Sequence, residues 1–520
     1  MSLARVACRG GLALAAPPVT VEVHLGAGLP VFSIVGLPAA AVKESKERVR
    51  AALANAKFEF PAGRITVNLA PADLPKHGGR FDLAIAVAIL IASAQLRAPQ
   101  IERYELFGEL GLDGDLRRVS GLLPAARSAT DLGRALIVPL ANSAELSWVA
   151  GARVYAAANL REVCAHCDGS APLAEQSLSA CESNRIQGTP VAAQLDLADV
   201  IGQSLAKQAL LVAAAGGHSL LLVGPPGCGK SMLAQRLPGL LPALSDAEAL
   251  DVATIASVAS AGSQARALPD ANYAPLSRPF RAPHHTASAN AIIGGGARAE
   301  PGEVTLADRG VLFLDELPEF DRRVLEALRE PLESGNVSLA RVGLRAQYPA
   351  RFQLVAAMNP CPCGYQGDRR RECRCTPPQI AQYRGRISGP LLDRIDLRVA
   401  MVSEMSPAES GPAGHSRPTV SSGAWRERVC AARSLQLRRG PRLNAQLEVR
   451  ELAQAAALTP DAERLLLRLR EKMALSLRAQ HRLLRVARTV ADLAASSVVD
   501  APHIAEAQQL RRALESDNLR

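Results

Sequence analysis

The segment that most constrains the fold is an apolar run, Leu220–Val223, that leads directly into a glycine-rich turn ending in a lysine and a serine. Glycines allow backbone angles that are closed to other residues, so successive N–H groups turn inward toward an anion. A lysine at the end of such a turn reaches the β- and γ-phosphates, and the next hydroxyl ligates Mg²⁺. With a helix expected over residues 232–237, the pattern predicts an ATP- and Mg²⁺-binding loop formed by Gly224, Pro225, Pro226, Gly227, Cys228, Gly229, Lys230 and Ser231.

An acidic pair is the expected partner of this loop. Asp315 and Glu316 follow a second apolar run, Val311–Leu314. An aspartate at the carboxyl end of a strand holds the Mg²⁺ that Ser231 ligates, and the adjacent glutamate polarises the attacking water. The alternative is an acidic pair that faces solvent at the end of a core strand. The combination favours ATP hydrolysis.

A third apolar run, residues 352–358, ends at Asn359. An amide at this position orients water against the γ-phosphate. The alternative is an ordinary turn residue, since Asn359 precedes Pro360 and this pairing is common in turns.

Two arginines complete the predicted catalytic set. Arg394 is a candidate arginine finger that acts on the nucleotide of a neighbouring subunit; the alternative is an intramolecular salt bridge with Asp393 or Asp396. Arg478, at the start of an arginine-rich helix, is the candidate nucleotide sensor, although most arginines in such a helix face water.

Four cysteines lie close together in the sequence, as C-x-C-x9-C-x-C around a loop that contains three arginines, residues 369–371. Ten cysteines without secretory context favour a reducing, cytoplasmic compartment, where clustered thiols are metal ligands or inert. The four residues are Cys361, Cys363, Cys373 and Cys375. Two alternatives stay open for them: they bind Zn²⁺ together, or they are reduced thiols without a metal.

Composition limits the partners of the chain. It has 520 residues, a formal net charge of +10 and 3% aromatic residues. This length requires about two to four domains. The charge favours a polyanion or reflects codon composition, and the scarcity of aromatics argues against base stacking as a main binding mode. Without an apolar run of about 18 residues, no membrane partner is expected.

The periodicity predicts an α/β chain in five parts. These are a first α/β domain (1–167), a linker (168–195), a second α/β domain (196–403), a flexible stretch (404–424) and a helical lid (425–520), broken by Pro460 and Pro502. Within the first domain, helices are expected over residues 39–55 and 81–94, and strands over 19–25, 64–69 and 135–139.

Six stretches of residues 17–515 together resemble the ComM/YifB family of magnesium-chelatase-like AAA+ ATPases. The resemblance implies a parallel-sheet P-loop core, a helical lid, a homo-hexameric ring and DNA as substrate, with branch migration during natural transformation. One departure is Asp308, where the family pattern has a histidine. The stretches are GLPAAAVKES (36–45), RAPHHT (281–286), GVLFLDELPEF (310–320), MNPCPCG (358–364), GPLLDRIDL (389–397) and VARTVADL (486–493).

The amino-terminal domain resembles the S5-like fold of Lon protease. The stretch after Lys76 that corresponds to the nucleophile segment of Lon has Arg80 in the serine position. A Ser-Lys dyad therefore lacks its nucleophile, and the resemblance implies the fold without proteolysis.

A DNA motor needs basic loops that contact phosphates. The segment 335–349 is predicted to form a hairpin just before the Asn359 strand, and Arg341 and Arg345 are its candidate phosphate contacts. The alternative is an ordinary solvated hairpin. A second candidate loop contains His284 and His285, a pair without a third metal ligand in register.

These features favour an ATP-driven hexameric motor on branched DNA. The first rival is a chelatase-type ATPase that remodels a protein partner, since both would share the ATPase core. The second rival, an ATP-dependent protease, is disfavoured by Arg80.

Overall fold

The structure is a computed structural model that describes residues 2–11, 14–37, 39–176, 195–259, 277–296, 299–341, 344–368, 371–402 and 420–513. The described residues form two compact units. The first is drawn from residues 1–188, 249–275 and 342–347, and the second from residues 189–248, 276–341 and 348–520.

The first unit contains a mixed seven-stranded sheet of order β3-β4-β2-β1-β5-β8-β9. Its strands are β1 (Ser2–Arg9), β2 (Pro18–Gly26), β3 (Val31–Val35), β4 (Arg64–Ala70), β5 (Tyr104–Leu106), β6 (Glu109–Leu110), β7 (Leu116–Arg117), β8 (Ala135–Pro139) and β9 (Val154–Ala157), of which β6 and β7 form a separate small hairpin. Its helices are α1 (Ala40–Asn55), α2 (Asp82–Ala92), α3 (Leu122–Asp131) and α4 (Leu160–Asp168).

The core of this unit is formed by the apolar residues of its strands and helices. Ten of the eleven residues of α2 are buried, since its sequence is almost continuously apolar. The predicted helices and strands of the domain are confirmed to within a few residues. Strand β1 was not predicted, although Ala4, Val6 and Cys8 alternate toward the core as in a half-buried strand.

The second unit is built on a parallel five-stranded sheet of order β11-β14-β17-β10-β18. The predicted α/β class with a parallel sheet is therefore confirmed. The strands of the unit are β10 (Leu220–Val223), β11 (Phe280–Arg281), β12 (Gly294–Gly295), β13 (Glu300–Pro301), β14 (Val311–Leu314), β15 (Asn336–Arg341), β16 (Leu344–Pro349), β17 (Gln353–Met358) and β18 (Leu397–Ala400).

The central strands are buried on both faces. Leu220 and Leu222 pack into one apolar cluster, whereas Leu221 and Val223 pack into the other. Helices cover these faces, which is why the strands are continuous apolar runs rather than alternating ones. The helices are α5 (Ser204–Gly216), α6 (Lys230–Ala234), α7 (Leu237–Leu240), α8 (Asp246–Ala259), α9 (Ala289–Ile293), α10 (Glu303–Leu306), α11 (Arg322–Ala327), α12 (Arg329–Ser334), α13 (Pro377–Gly385) and α14 (Gly389–Leu392).

One expectation about an element limit needs correction. The helix expected over 232–237 instead begins at Lys230, ends at Ala234 and is followed by the separate short α7, whose second residue is Pro238. Helix α8 also crosses the division between the units, since its residues from 249 onward group with the first.

The carboxyl-terminal region is helical, as predicted. Proline starts α17 and α19 within their first turns, where its missing N–H costs no hydrogen bond. The first of these helices begins at Ser422, three residues before the predicted boundary, and most of the stretch 404–424 lies outside the described residues. The helices are α15 (Ser422–Arg439), α16 (Val449–Ala455), α17 (Pro460–Met473), α18 (Leu477–Leu493) and α19 (Ala501–Gln509). Across the described ranges, no helix has both the length and the apolar character needed to cross a bilayer.

Candidate functional site

The carboxyl ends of β10, β14 and β17 meet at one edge of the parallel sheet, and they carry the predicted site residues to the same place. Each strand contributes one loop to a cavity of about 350 Å³. The residues that line this cavity are Pro226, Gly227, Gly229, Lys230, Ser231, Met232, Asp315, Glu316, Met358 and Asn359.

The side chain of Lys230 is buried against the glycine-rich loop. Its ammonium donates hydrogen bonds to the carbonyls of Gly224 at 2.7 Å and Pro225 at 2.9 Å, and to the amide oxygen of Asn359 at 3.1 Å. Burial lowers the pKa of Lys230 because it disfavours the charged form. A buried cation whose three hydrogen-bond partners are neutral oxygens is well suited to an anionic ligand.

The backbone at Gly229 explains why the loop requires glycine. Gly229 precedes α6 with φ of +92°, a left-handed conformation that is strained for a residue with a side chain. This turn brings Lys230 and Ser231 to the first positions of α6, facing the cavity.

Ser231 and Asp315 lie in direct contact. The Ser231 hydroxyl donates a 2.6 Å hydrogen bond to Asp315 Oδ2. A hydroxyl and a carboxylate are the hard oxygen ligands that Mg²⁺ prefers, together with waters and phosphates. The donor set therefore fits a magnesium ion held between the two loops.

Glu316 has a strained backbone and a side chain that reaches the cavity. Its φ is +53°, in the left-handed region, and its N–H is bonded to Asp315 Oδ1 at 2.9 Å. Strain of this kind persists where the surrounding structure enforces it, commonly at functional sites. The carboxylate is 52% exposed and Oε2 lies 3.2 Å from Nδ1 of His285.

His285 was not predicted to act on this site. Its ring packs against His284 at 4.1 Å between centroids and meets the edge of Phe320 at 6.5 Å. The contact with Glu316 depends on β11, which lies just before the histidine pair and is a parallel neighbour of β14, the strand that Glu316 closely follows. Pairing of the short strand β11 with β14 is not visible in the sequence itself.

Arg394 lies in a turn before β18, with only 11% of its side chain exposed. Its guanidinium pairs with Glu333 and donates to the carbonyl of Pro390 at 2.7 Å. The alternative salt bridge to Asp393 or Asp396 is therefore corrected, because the ion-pair partner is Glu333. Asp396 instead accepts from His218 Nδ1 at 3.1 Å.

Arg478 lies exposed in the first turn of α18. Arg482, one turn later, is partly buried; burial lowers its pKa, while the carboxylates of Asp396 and Asp393 oppose the shift. Neither arginine belongs to the described residues that line the cavity, and Arg394 is also outside that lining.

The four cysteines converge on one point. The sulfur of Cys361 lies 3.4 Å from that of Cys363 and 3.6 Å from that of Cys373, and Cys363 and Cys373 are 3.6 Å apart. Together with Cys375, all four sulfurs lie within 4.8 Å of one another, and all four thiols are free.

The predicted hairpin is present as the two-stranded sheet β15-β16. Arg341 ends β15 and Arg345 lies in β16, but their side chains and the tip residues 342–343 lie outside the described residues. Their role as phosphate contacts stays a prediction.

Arg80, which the resemblance to Lon places at the nucleophile position, is a buried residue. Arg80 donates a 2.5 Å hydrogen bond to the carbonyl of Ser120, and Lys76 donates to the carbonyl of Pro71. Each cation donates to a backbone oxygen, whereas Nη1 of Arg80 is buried without a hydrogen-bond partner among the described residues.

Comparison with known proteins covers nearly the whole chain. Three family models match: "Magnesium chelatase, subunit ChlI" over residues 196–409, "Subunit ChlI of Mg-chelatase" over 21–142 and "Magnesium chelatase, subunit ChlI C-terminal" over 419–511. The chain is 48% identical over 512 residues to the uncharacterized protein YifB of Salmonella typhimurium, covering 98% of this chain and 97% of the relative. It is 47% identical over 512 residues to the competence protein ComM of Haemophilus influenzae, with the same coverage.

Proposed function

The chain belongs to the ComM/YifB family of magnesium-chelatase-like proteins, and from this premise we propose that it is an ATP-hydrolysing hexameric motor of the cytoplasm that drives branch migration of DNA. The observation that carries the proposal is the group of Lys230, Ser231, Asp315, Glu316 and Asn359 around one cavity. Such a group has the parts that phosphoryl transfer from ATP to water needs.

Each residue has a chemical task in this proposal. Lys230 exchanges its carbonyl partners for the β- and γ-phosphates, and Ser231 and Asp315 hold Mg²⁺, which neutralises phosphate charge when bound. Glu316 orients the attacking water and accepts its proton. Asn359, already bonded to Lys230, positions the same water against the γ-phosphate.

A ring is proposed because the described residues that line this cavity do not supply all the chemistry of phosphoryl transfer. Charge on the transferred phosphoryl group is commonly stabilised by an arginine finger. No arginine is among the described residues that line the cavity. We assign this task to Arg394 of an adjacent subunit, and the role of nucleotide sensor to Arg478, so that hydrolysis depends on assembly.

DNA is proposed as substrate on three grounds. The chain carries a net charge of +10, and one close relative is a competence protein by name. The hairpin that carries Arg341 and Arg345 lies immediately before β17, whose carboxyl end leads to Asn359. Movement of this hairpin would therefore be coupled directly to the nucleotide site.

The decisive experiment measures ATP turnover with and without DNA and strand exchange on a synthetic four-way junction. We expect DNA to stimulate ATP turnover. We expect the junction to be separated into its duplex arms only with ATP, and Lys230→Ala to be inactive in both assays. An ATPase that is indifferent to DNA would overturn the DNA part of the proposal and favour a protein-remodelling ATPase.

The hairpin can be tested separately with the double variant Arg341→Ala/Arg345→Ala. Losing two phosphate contacts should lower the slope of log affinity against log salt by about 2 and weaken binding for all sequences alike. Basal turnover without DNA should persist. The charge-matched control is Arg464→Ala/Arg468→Ala, two exposed arginines of α17. Unchanged affinity and salt slope in the hairpin variant would place the DNA elsewhere.

A further inference from the structure

The cysteine cluster lies in the loop that joins Asn359 to α13, next to the nucleotide cavity. Three of its sulfur–sulfur distances are 3.4, 3.6 and 3.6 Å. Four thiolates around a tetrahedral zinc ion, with bonds of about 2.3 Å, are about 3.8 Å apart. The observed spacing is thus close to that of a closed zinc site with four cysteine ligands and far longer than a disulfide bond.

Few residues of the loop are buried. In residues 361–368 and 371–376, the described part of the loop, only Cys361 and Gly364 are buried. A segment without an apolar core needs a cross-link or a metal to adopt one conformation. The thiols are free, so a metal ion is the cross-link that remains.

We propose that one zinc ion is bound by four thiolates, those of Cys361, Cys363, Cys373 and Cys375. The bound ion keeps the cysteine loop packed against the nucleotide-binding loop and thereby fixes the position of Asn359. Zinc suits the site because four thiolates without an open position form a structural site for this ion. The thiols release their protons on binding, and no redox change is involved. Zinc binding by the four cysteines is independent of the proposed function, whereas the effect of zinc on ATP turnover rests on that function.

Contact between the two loops runs through Gly364. Its N–H is bonded to the carbonyl of Cys361 at 3.0 Å. A Cβ added at Gly364 would lie 2.7 Å from Cδ of Pro226 and 3.8 Å from Cγ of Asn359, and φ is +84°. There is therefore no room for a side chain at Gly364 between the cysteine loop and the glycine-rich loop, and the Asn359 amide lies close by.

A second contact holds the start of the loop. Arg384 of α13 donates from Nε and Nη2 to the carbonyl of Pro360, at 3.2 and 3.1 Å, and from Nη2 to the side chain of Gln366 at 2.9 Å. Pro360 lies between Asn359 and Cys361, so the metal and Arg384 act on adjacent residues. Both therefore restrain the chain immediately after the amide of Asn359.

The first test is the metal content of the full-length protein, purified reduced and without chelator. We expect about one zinc per chain, with X-ray absorption showing four sulfur neighbours at about 2.3 Å. Cys373→Ser/Cys375→Ser should lower the zinc content at least tenfold, whereas Cys430→Ser, a cysteine of α15 outside the cluster, should retain it. A wild-type protein without zinc, or with another metal at these sulfurs, would overturn the proposal.

The second test separates zinc from its effect on the site. Gly364→Ala keeps all four ligands, so it should retain about one zinc while ATP turnover falls roughly tenfold or more, because the new Cβ displaces Pro226. The zinc-depleted variant Cys373→Ser/Cys375→Ser should lose turnover similarly, with Cys430→Ser as its control, since neither change alters Cys228 of the nucleotide-binding loop.

Each result has one meaning. Zinc-free protein that hydrolyses ATP at the wild-type rate would overturn the positioning role of the ion. If the zinc-loaded wild-type protein does not hydrolyse ATP at all, the proposed function fails, while the metal analysis still decides the zinc site.

Discussion

The ammonium of Lys230 donates a 3.1 Å hydrogen bond to the amide oxygen of Asn359, a residue 129 positions further along the chain. The two residues meet because β10 and β17 are adjacent parallel strands whose loops leave from the same edge. Ser231 and Asp315 meet at the same edge, 84 positions apart, with β17 lying between their two strands. The strand order thereby brings three loops together.

Lys230→Ala is expected to abolish ATP turnover without unfolding the protein. Burial lowers the pKa of Lys230, so the charged lysine disfavours the folded state at neutral pH, and this unfavourable contribution disappears only as pH rises toward the unfolded value. The variant should therefore unfold at a temperature equal to or above that of the wild-type protein. ATP turnover by the variant at the wild-type rate would show that the site is assigned wrongly.

Glu316→Gln should bind ATP with unchanged affinity and hydrolyse it about 10²–10⁴ times more slowly, since only the acceptor for the proton of water is lost. Fluorescent-nucleotide binding and phosphate release measure the two effects. Glu319→Gln is the matched control, because Glu319 is a neighbouring carboxylate that pairs with Arg386 at 2.7 Å. Equal losses in both variants would contradict the assignment.

His285→Ala should lower kcat by roughly tenfold to a hundredfold with little change in nucleotide affinity, because Glu316 loses the contact that orients its carboxylate. His284→Ala is the control, since its Nδ1 lies 2.9 Å from the hydroxyl of Thr286 and not beside Glu316. An increase in kcat for His285→Ala would instead mean that the histidine holds Glu316 away from water.

Arg394→Ala should reduce turnover by about 10³–10⁵ if the arginine serves a neighbouring subunit. Mixing it with Lys230→Ala subunits should restore part of the activity, because some interfaces then combine an intact Arg394 with an intact nucleotide loop. Co-purification through an affinity tag carried by only one of the two variants establishes that the rings are mixed. Mixed rings without any recovery would restrict Arg394 to its ion pair with Glu333 in the same chain.

Asp492→Ala should lower the free energy of unfolding by about 3–5 kcal/mol, because it leaves two guanidinium groups without their counter-charge. Asp492 is 1% exposed and pairs with Arg439 at 2.5 Å and with the fully buried Arg488 at 2.9 Å. Its control is Asp461→Ala, whose pair with Arg464 is more than two-thirds exposed.

That control should lower the free energy by at most about 1 kcal/mol. Urea unfolding in a Trp148→Phe background leaves Trp425 of α15 as the reporter of the second unit. Similar losses for Asp492→Ala and Asp461→Ala would contradict the buried network.

Local sequence was sufficient for the core strands and for the residue types of the site. The predicted limits of Leu220–Val223, Val311–Leu314 and Ala135–Pro139 match the observed strands. These runs are apolar throughout and end at turn-forming or polar residues, and strands buried on both faces require that pattern wherever they lie in a sheet.

Partner choice was decided by the tertiary structure. The sequence offered Asp393 and Asp396 as partners of Arg394, but folding brings Glu333 to it from α12. It likewise places His285 beside Glu316, and Gly364 against Pro226, through contacts between separate segments of the chain. Apolar periodicity acts within one element, whereas the order of strands in a sheet depends on packing among all of them. The sequence by itself therefore determined which chemical groups this protein carries, and only the packed sheet decided which of them touch.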